Sequence, residues 1–182
     1  DGSFSWEDLS ARYTAELANG FGNLASRTVA MVARYFDSDI PQANEYQPAD
    51  KQVQEVAAQA VSGAEAAMDR VAIHEAIAST WKLVDELNNY ITTQEPWVLA
   101  KEESTRERLG TVLYTSIEGL RVLAVLLAPV MPKACEKLWA AIGSSLGELS
   151  NQSISEAGVW GQLAAGTKIS ELEALFPRVE EK

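Results

Sequence analysis

Apolar residues recur at helical spacing from near the start of the chain. Between Ser5 and Phe36 most of them lie three or four positions apart, at Leu9, Tyr13, Leu17, Phe21, Leu24, Val29, Val32 and Phe36. This spacing predicts amphipathic helix. Gly20 and Gly22 interrupt it, and each lowers helix propensity by up to about 1 kcal/mol relative to Ala. We predict a distortion there, close packing against another helix, and a second helical stretch beginning around Asn23.

The helical pattern resumes after a loop rich in Pro and Asp at residues 37–50. It runs from Lys51 to Gln94 with a shift of phase near Asp69. Because single helices of more than about 25 residues are uncommon in globular proteins, we divide this stretch into two helices near Asp69. Pro96 then ends or bends the second helix.

A strongly apolar helix follows, with Ser104 or Thr105 as its predicted N-cap. Pro129 and Pro132 end it, since two prolines cannot both lie in a helix interior. A short amphipathic helix then reaches Gly143. Beyond this point Gly, Ser and Asn are frequent and the periodicity is lost.

The pattern predicts an all-α, up-down bundle of about five helices with a less regular C-terminal extension. We assign the bundle to residues 1–143 and the extension to residues 144–182. The extension is expected to pack on the bundle or on a missing neighbouring domain. Its apolar anchors are Trp160, Leu163, Leu175 and Phe176.

Charge and composition limit the functional classes. The formal net charge is -11, whereas a general nucleic-acid binder carries a basic footprint. Any contact with RNA must therefore be local, and Arg12, Arg27 and Arg34 form a candidate positive strip. Solubility explains most of the acidity.

The sequence offers little catalytic or metal-binding chemistry. Cys135 and His74 are the only residues of their types, so an internal disulfide or a zinc site of the usual kind cannot form, and a reducing compartment is expected. No phosphate-binding glycine loop or Ser/His/Asp set is present. The longest strongly apolar run, residues 122–131, is too short for a membrane span, which needs about 20 residues.

The stretch QEPWVLAK, residues 94–101, places Trp97 directly after Pro96. On geometry alone two interpretations are equally supported. The indole either closes the core at a helix junction or lies exposed as a platform for a flat ligand.

Several segments together resemble the C-terminal anticodon-binding helical domain of methionyl-tRNA synthetase. They are ELANGFGNLASR (16–27), LNNYITTQEPW (87–97), PWVLAK (96–101), LLAPVMPKACEKLW (126–139) and LFPR (175–178). Each is weak alone, and the LAP..P word occurs in several class I synthetases. Their joint order covers nearly the whole chain.

The resemblance implies that Asn23, Arg27 and Trp97, with the adjoining Pro96, contact the anticodon CAU of tRNA for methionine, especially its first base. It also implies that a catalytic domain N-terminal to this chain attaches methionine to tRNA with ATP and Mg²⁺, and it allows zinc there. It implies no catalytic site, metal or cofactor in these 182 residues, a cytoplasmic location and no membrane partner.

Elementary chemistry agrees with this assignment. Asn23 and Arg27 are four positions apart and therefore share a helix face. Arg donates hydrogen bonds in a planar fork and Asn both donates and accepts, while aromatic rings stack on splayed bases of single-stranded RNA. Without the resemblance, a helix cap and an ion pair would be the favoured roles of Asn23 and Arg27. Two other functions stay open: the corresponding domain of a valine, isoleucine or leucine synthetase, and a helical protein-interaction module.

Overall fold

The computed structural model describes residues 15–16 and 18–176, and helices dominate them. The helices are α1 (Asn23–Phe36), α2 (Pro48–Asp69), α3 (Ile73–Gln94), α4 (Pro96–Leu99), α5 (Arg106–Leu127), α6 (Pro132–Ile142) and α7 (Ile154–Ala157). A π-helical segment, Ala18–Gly22, precedes α1, and 3-10 turns lie at Glu103–Thr105, Ser144–Leu146 and Leu149–Asn151. No strand occurs among the described residues, where a single isolated bridge joins Asp39 to Lys168.

The prediction of an all-α bundle is confirmed. Five of the helices have 11 or more residues. The predicted division near Asp69 coincides with the end of α2, and α3 ends directly before the Glu95–Pro96 pair. Thr105 is the N-cap residue of α5 as predicted, but its hydroxyl donates to the carbonyl oxygens of Leu99 and Glu102 and does not accept from the helix.

The glycines before α1 allow close packing, as the sequence predicted. A Cβ on Gly20 would lie 3.0 Å from the indole of Trp81 on α3. The carbonyl oxygen of Gly20 also accepts a hydrogen bond from the Asn88 amide, at 3.2 Å. Most of the predicted helix upstream of this point, residues 5–14 with Arg12, lies outside the described residues.

Helix α5 is the centre of the bundle. Every residue from Leu109 to Leu127 is buried, which is typical of a helix that is apolar on all sides and surrounded by others. The segment Glu103–Leu127 is long and apolar enough to cross a membrane, but the whole of its apolar window is buried inside the bundle. It is therefore the core helix of this fold.

The C-terminal extension lies against the bundle. Of its predicted anchors, Leu163 and Leu175 are buried and Trp160 and Phe176 are half-buried. The N–H of Ile40 donates to the carbonyl oxygen of Thr167 at 2.9 Å. Whether residues 1–143 and 144–182 are separate units stays a prediction. The LFPR motif is described only as far as Phe176.

Candidate nucleic-acid interface

The chain turns sharply between α3 and α4, and this turn presents Trp97. After Gln94, Glu95 adopts a left-handed backbone conformation with φ 49° and ψ 59°. Such a conformation is uncommon for a residue with a Cβ and persists only where surrounding contacts fix it. Pro96 then begins α4, where its missing N–H is not needed. Trp97 is therefore held by a backbone with little freedom.

The indole of Trp97 lies at the surface beside α1. Trp97 is 41% exposed, whereas Pro96 is buried. Between the ring and the helix runs a groove of about 370 Å³, which we call the Trp97 groove; its walls are Arg27, Ala30, Met31, Arg34, Tyr35 and Trp97. Of the two interpretations left open by the sequence, the exposed ring is the observed one.

The outer face of α1 carries the other predicted site residues. Asn23 and Arg27 are both exposed, because the intervening Leu24 and Ala25 point into the core. Arg27 lines the Trp97 groove, while Asn23 lies one helical turn earlier and outside its walls. The structure thus brings Arg27 and Trp97 together, leaves Asn23 beside them on the same helix, and buries Pro96 beneath the surface.

Further groove residues escaped the sequence analysis. Met31 and Tyr35 follow Arg27 at steps of four residues, so helical spacing on α1 could have indicated them. Arg106 lies outside the walls of the groove but next to them, since its guanidinium is 4.5 Å from the centre of the Phe36 ring and donates to the carbonyl oxygen of Tyr35 at 3.3 Å. No sequence signal links residue 106 to residue 35.

The walls of the groove carry basic and no acidic side chains, on an acidic protein whose exposed Glu95, Glu102 and Glu103 lie close to Trp97 in the chain. Arg27 and Arg34 form part of its walls, and Arg106 is exposed nearby. Lys101 is also exposed, four residues after Trp97. Of the positive strip expected from the sequence, Arg27 and Arg34 share the groove, and Arg12 lies outside the described residues.

A buried polar cluster lies at the same end of the bundle, beside the α3–α4 turn. Its centre is Asp50, whose side chain is fully buried on α2. The carboxylate accepts two hydrogen bonds from Arg108, at 2.6 and 2.9 Å, and one from the hydroxyl of Tyr90. It also accepts from the N–H of Gln47, at 2.8 Å. Arg108 in turn donates to the side-chain oxygen of Gln94, at 2.7 Å.

Electrostatics in this cluster favour the charged pair. Burial would raise the pKa of Asp50, but the hydrogen bonds from Arg108 and Tyr90 outweigh it, and the pKa of the carboxyl lies below its ordinary value. Burial likewise opposes the charge on Arg108, yet Asp50 raises the pKa of the guanidinium. Burial, followed by the hydrogen bond to Asp50, raises the pKa of Tyr90. The cluster is a fixed ion pair at neutral pH.

The chemistry offered at the surface is recognition of a flat, polar group. An exposed indole can stack on a planar ring, and an adjacent guanidinium can donate to acceptors on its edge. Among the described residues no group of three or more His, Cys, Asp and Glu side chains is arranged to hold a metal ion. The fold and the groove together define a helical binding domain.

Comparison with known proteins gives the family. A family model described as the anticodon-binding domain of methionyl-tRNA ligase matches residues 40–182. The chain belongs to this family.

Similar proteins agree with this assignment. The chain is 46% identical to methionine–tRNA ligase of Streptomyces coelicolor, over 100% of the chain and 35% of that protein. It is 39% identical to the same enzyme of Caldanaerobacter subterraneus subsp. tengcongensis, over 99% of the chain and 28% of that protein. The chain thus spans about a third of the length of these curated relatives.

Solved structures show the same architecture. The crystal structure of the free state of Mycobacterium tuberculosis methionyl-tRNA synthetase matches with a TM-score of 0.85 and 34% identity, over 100% of this chain and 36% of that one. A second structure of the M. tuberculosis enzyme, bound by methionyl-adenylate, also has a TM-score of 0.85 and 33% identity, over 97% of this chain and 34% of that one.

Proposed function

We propose that this chain recognises the anticodon CAU of methionine tRNA, as the C-terminal domain of a methionine–tRNA ligase. The observation that carries the proposal is the Trp97 groove, in which an exposed indole faces Arg27 across an open surface. Family membership supports the RNA as the ligand.

Stacking on Trp97 supplies most of the affinity for an unpaired base. Base–aromatic stacking contributes about 1–3 kcal/mol per base and does not depend on the identity of the base. The left-handed Glu95 and the buried Pro96 fix the backbone from which the ring projects before RNA arrives. Pre-organisation of this kind lowers the entropic cost of binding.

Arg27, assisted by Asn23, supplies the preference for cytosine as the first base. The Watson–Crick edge of cytosine presents two acceptors, and a guanidinium offers only donors. Uracil replaces the ring-nitrogen acceptor by an N–H donor, which would oppose the guanidinium. A buried or desolvated donor left without an acceptor costs about 1–3 kcal/mol. A difference of this size in binding free energy is sufficient to distinguish cytosine from uracil at one position of the anticodon.

The chemistry belongs to the rest of the protein. We propose that the complete enzyme joins methionine to tRNA with ATP and Mg²⁺ in a catalytic domain N-terminal to this chain, in the cytoplasm. Relatives that bind methionyl-adenylate support the use of an adenylated amino acid. Zinc is allowed in the catalytic part. The present domain contributes recognition energy and no reacting group.

A binding competition tests the proposal. The chain is titrated with two RNA stem-loops that differ only in the first anticodon base, CAU and UAU. We expect CAU to bind more tightly. Trp97→Ala should weaken binding of both by about 1–3 kcal/mol, whereas Arg27→Ala should weaken CAU more than UAU.

Val98→Ala is the matched control, since Val98 is 43% exposed in the same short helix and lies outside the walls of the groove. Equal affinity of the wild-type chain for both stem-loops would reject the assignment of the first base. Preference for a valine, isoleucine or leucine anticodon would support the related synthetases. A protein-interaction module would bind none of these RNAs.

A further inference from the structure

Arg108 joins three helices directly behind the turn that carries Trp97. It lies in the first turn of α5, and its side chain is only 16% exposed. It pairs with Asp50 from the start of α2 and with Gln94, the last residue of α3. Trp97 itself is three residues beyond Gln94.

The position of the Arg108 side chain is fixed from the opposite side. Asp50 receives both terminal nitrogens of the guanidinium, and a bidentate pair of this kind sets the plane as well as the distance. The hydroxyl of Tyr90 and the N–H of Gln47 also donate hydrogen bonds to the carboxylate, so Asp50 has little freedom to move. Arg108 is therefore a rigid donor aimed at the end of α3.

The end of α3 requires such a support. Glu95 holds a left-handed conformation that costs about 1–3 kcal/mol for a residue with a side chain. A terminal helical turn without support would fray, and Trp97 would move with it. On the far side of the turn, the Thr105 hydroxyl donates to the carbonyl oxygen of Leu99 at 2.6 Å. The turn is thus held before and after Trp97.

We propose that Arg108 is a positioning residue for Trp97: through its hydrogen bond to Gln94 it fixes the last turn of α3 and hence the orientation of the indole that stacks on the anticodon base. The identity of the ligand in this inference rests on the proposed function. The effect of Arg108 on the orientation of the Trp97 ring is independent of the proposed function.

Gln94 separates positioning from simple stabilisation. Replacing Gln94 by Ala removes the link to the turn and leaves the buried Asp50–Arg108 pair intact. Gln94→Glu restores an acceptor for the guanidinium. Thr93→Ala is the matched control, because the Thr93 hydroxyl bonds only to the carbonyl oxygens of Asn89 and Tyr90 within the same helix.

The test labels the full chain with 5-fluorotryptophan and records ¹⁹F NMR spectra, with Trp97 assigned by Trp97→Phe. We expect Gln94→Ala to shift or broaden the Trp97 resonance while the other resonances and the melting temperature stay at wild-type values. Gln94→Glu should restore the Trp97 resonance, and Thr93→Ala should not change it. Affinity of Gln94→Ala for the CAU stem-loop should fall about three- to tenfold, a part of the roughly five- to 150-fold of one stacked base.

An unchanged Trp97 resonance in Gln94→Ala would overturn the proposal, and so would the same change in Thr93→Ala. A moved resonance with unchanged affinity for CAU would also overturn it, since the orientation of the ring would then not matter for binding. If the wild-type chain shows no preference for CAU, the proposed function fails, and the fluorine comparison alone decides whether Arg108 positions Trp97.

Discussion

The C-terminal extension depends on an ion pair in the middle of α5. Glu118 and Arg121 are both fully buried, with 2.7 Å between Nη2 of Arg121 and Oε1 of Glu118. The carboxylate also accepts from the N–H groups of Gly161, Gln162 and Leu163, at 2.8, 3.0 and 3.3 Å. Glu118→Gln preserves the size of the side chain but removes the charge that pairs with Arg121.

We expect Glu118→Gln to lower the free energy of unfolding by about 3–5 kcal/mol, the range for removing one partner of a buried ion pair. The amide retains one acceptor oxygen but turns a donor toward the N–H of Leu163, which loses its partner. Arg121→Met should be similarly destabilising, because Nη2 of Arg121 also donates to the carbonyl oxygens of Ala157 and Val159. The double variant should lose less free energy of unfolding than the two single variants together, since it leaves no unpaired buried charge.

Urea unfolding followed by far-UV circular dichroism and by tryptophan fluorescence measures this effect. With a slope of about 2–3 kcal/mol per M, the urea midpoint of Glu118→Gln should fall by about 1–2.5 M. Glu171→Gln, an exposed change in the same extension, should leave it unchanged. We expect both probes to give a single unfolding transition. The extension covers the Glu118–Arg121 pair and supplies its hydrogen-bond partners, so the bundle and the extension should unfold together. A wild-type midpoint for Glu118→Gln, or a separate early transition of the extension, would refute this reasoning.

Three further predictions concern other parts of the molecule. The pKa of Asp50 is lowered in the folded state. The stability that its charge contributes is therefore complete above about pH 4 and is lost as the pH falls through the pKa of the folded state. The difference in unfolding free energy between wild type and Asp50→Asn should narrow between pH 7 and pH 3. On the proposed function we assign Arg34 to a contact with an RNA phosphate, so Arg34→Ala should reduce the slope of log affinity for the stem-loop against log salt by about 0.7–1 and leave the CAU/UAU ratio unchanged. A changed ratio would contradict this assignment. Burial raises the pKa of the Cys135 thiol to about 12, so iodoacetamide at pH 8 should label it only after unfolding, and rapid labelling of the native chain would disprove its burial.

Local periodicity was sufficient to predict the five longer helices, but not the short helices α4 and α7. The phase shift near Asp69 and the glycines before Asn23 each marked a break that the structure contains. These features depend on residues within a few positions of one another, where side-chain spacing and backbone preference act directly. The same rules predicted that Pro96 ends or bends the helix before it, and the structure adds that Pro96 begins the short helix α4.

Contacts between distant segments could not be predicted in this way. Asp50 and Arg108 are 58 positions apart, and in the sequence Asp50 is only the last residue of the loop at residues 37–50. A partial signal existed for Glu118 and Arg121, since two opposite charges three positions apart in an otherwise apolar helix indicate a buried pair. What they bond to in the extension depends on how the whole chain folds.

For the site, the family resemblance identified candidate residues, while exposure required coordinates. A Trp after a helix-ending Pro can face inward or outward, and the left-handed Glu95 that decides between them has no signature in its side chain. Arg27 and Trp97 are 70 residues apart in sequence, yet they line one groove. Helical spacing places Met31 and Tyr35 on the face of Arg27, but the groove that they line also depends on Trp97, which spacing along α1 does not include.

The acidity of the chain is consistent with recognition by a small stacking site. A net charge of -11 repels RNA phosphates in general, so non-specific binding, which is almost entirely electrostatic, should be weak. In the proposed complex, stacking on Trp97 and hydrogen bonds from Arg27 would act over a few ångströms and depend far less on salt. The acidic surface of the chain therefore lowers the affinity for RNA in general. The affinity for the correct anticodon falls less, because it depends mainly on short-range contacts in the basic groove. On the proposed function, raising the salt concentration changes the affinities for cognate and non-cognate stem-loops by nearly the same factor, because the electrostatic contribution that salt screens is common to both.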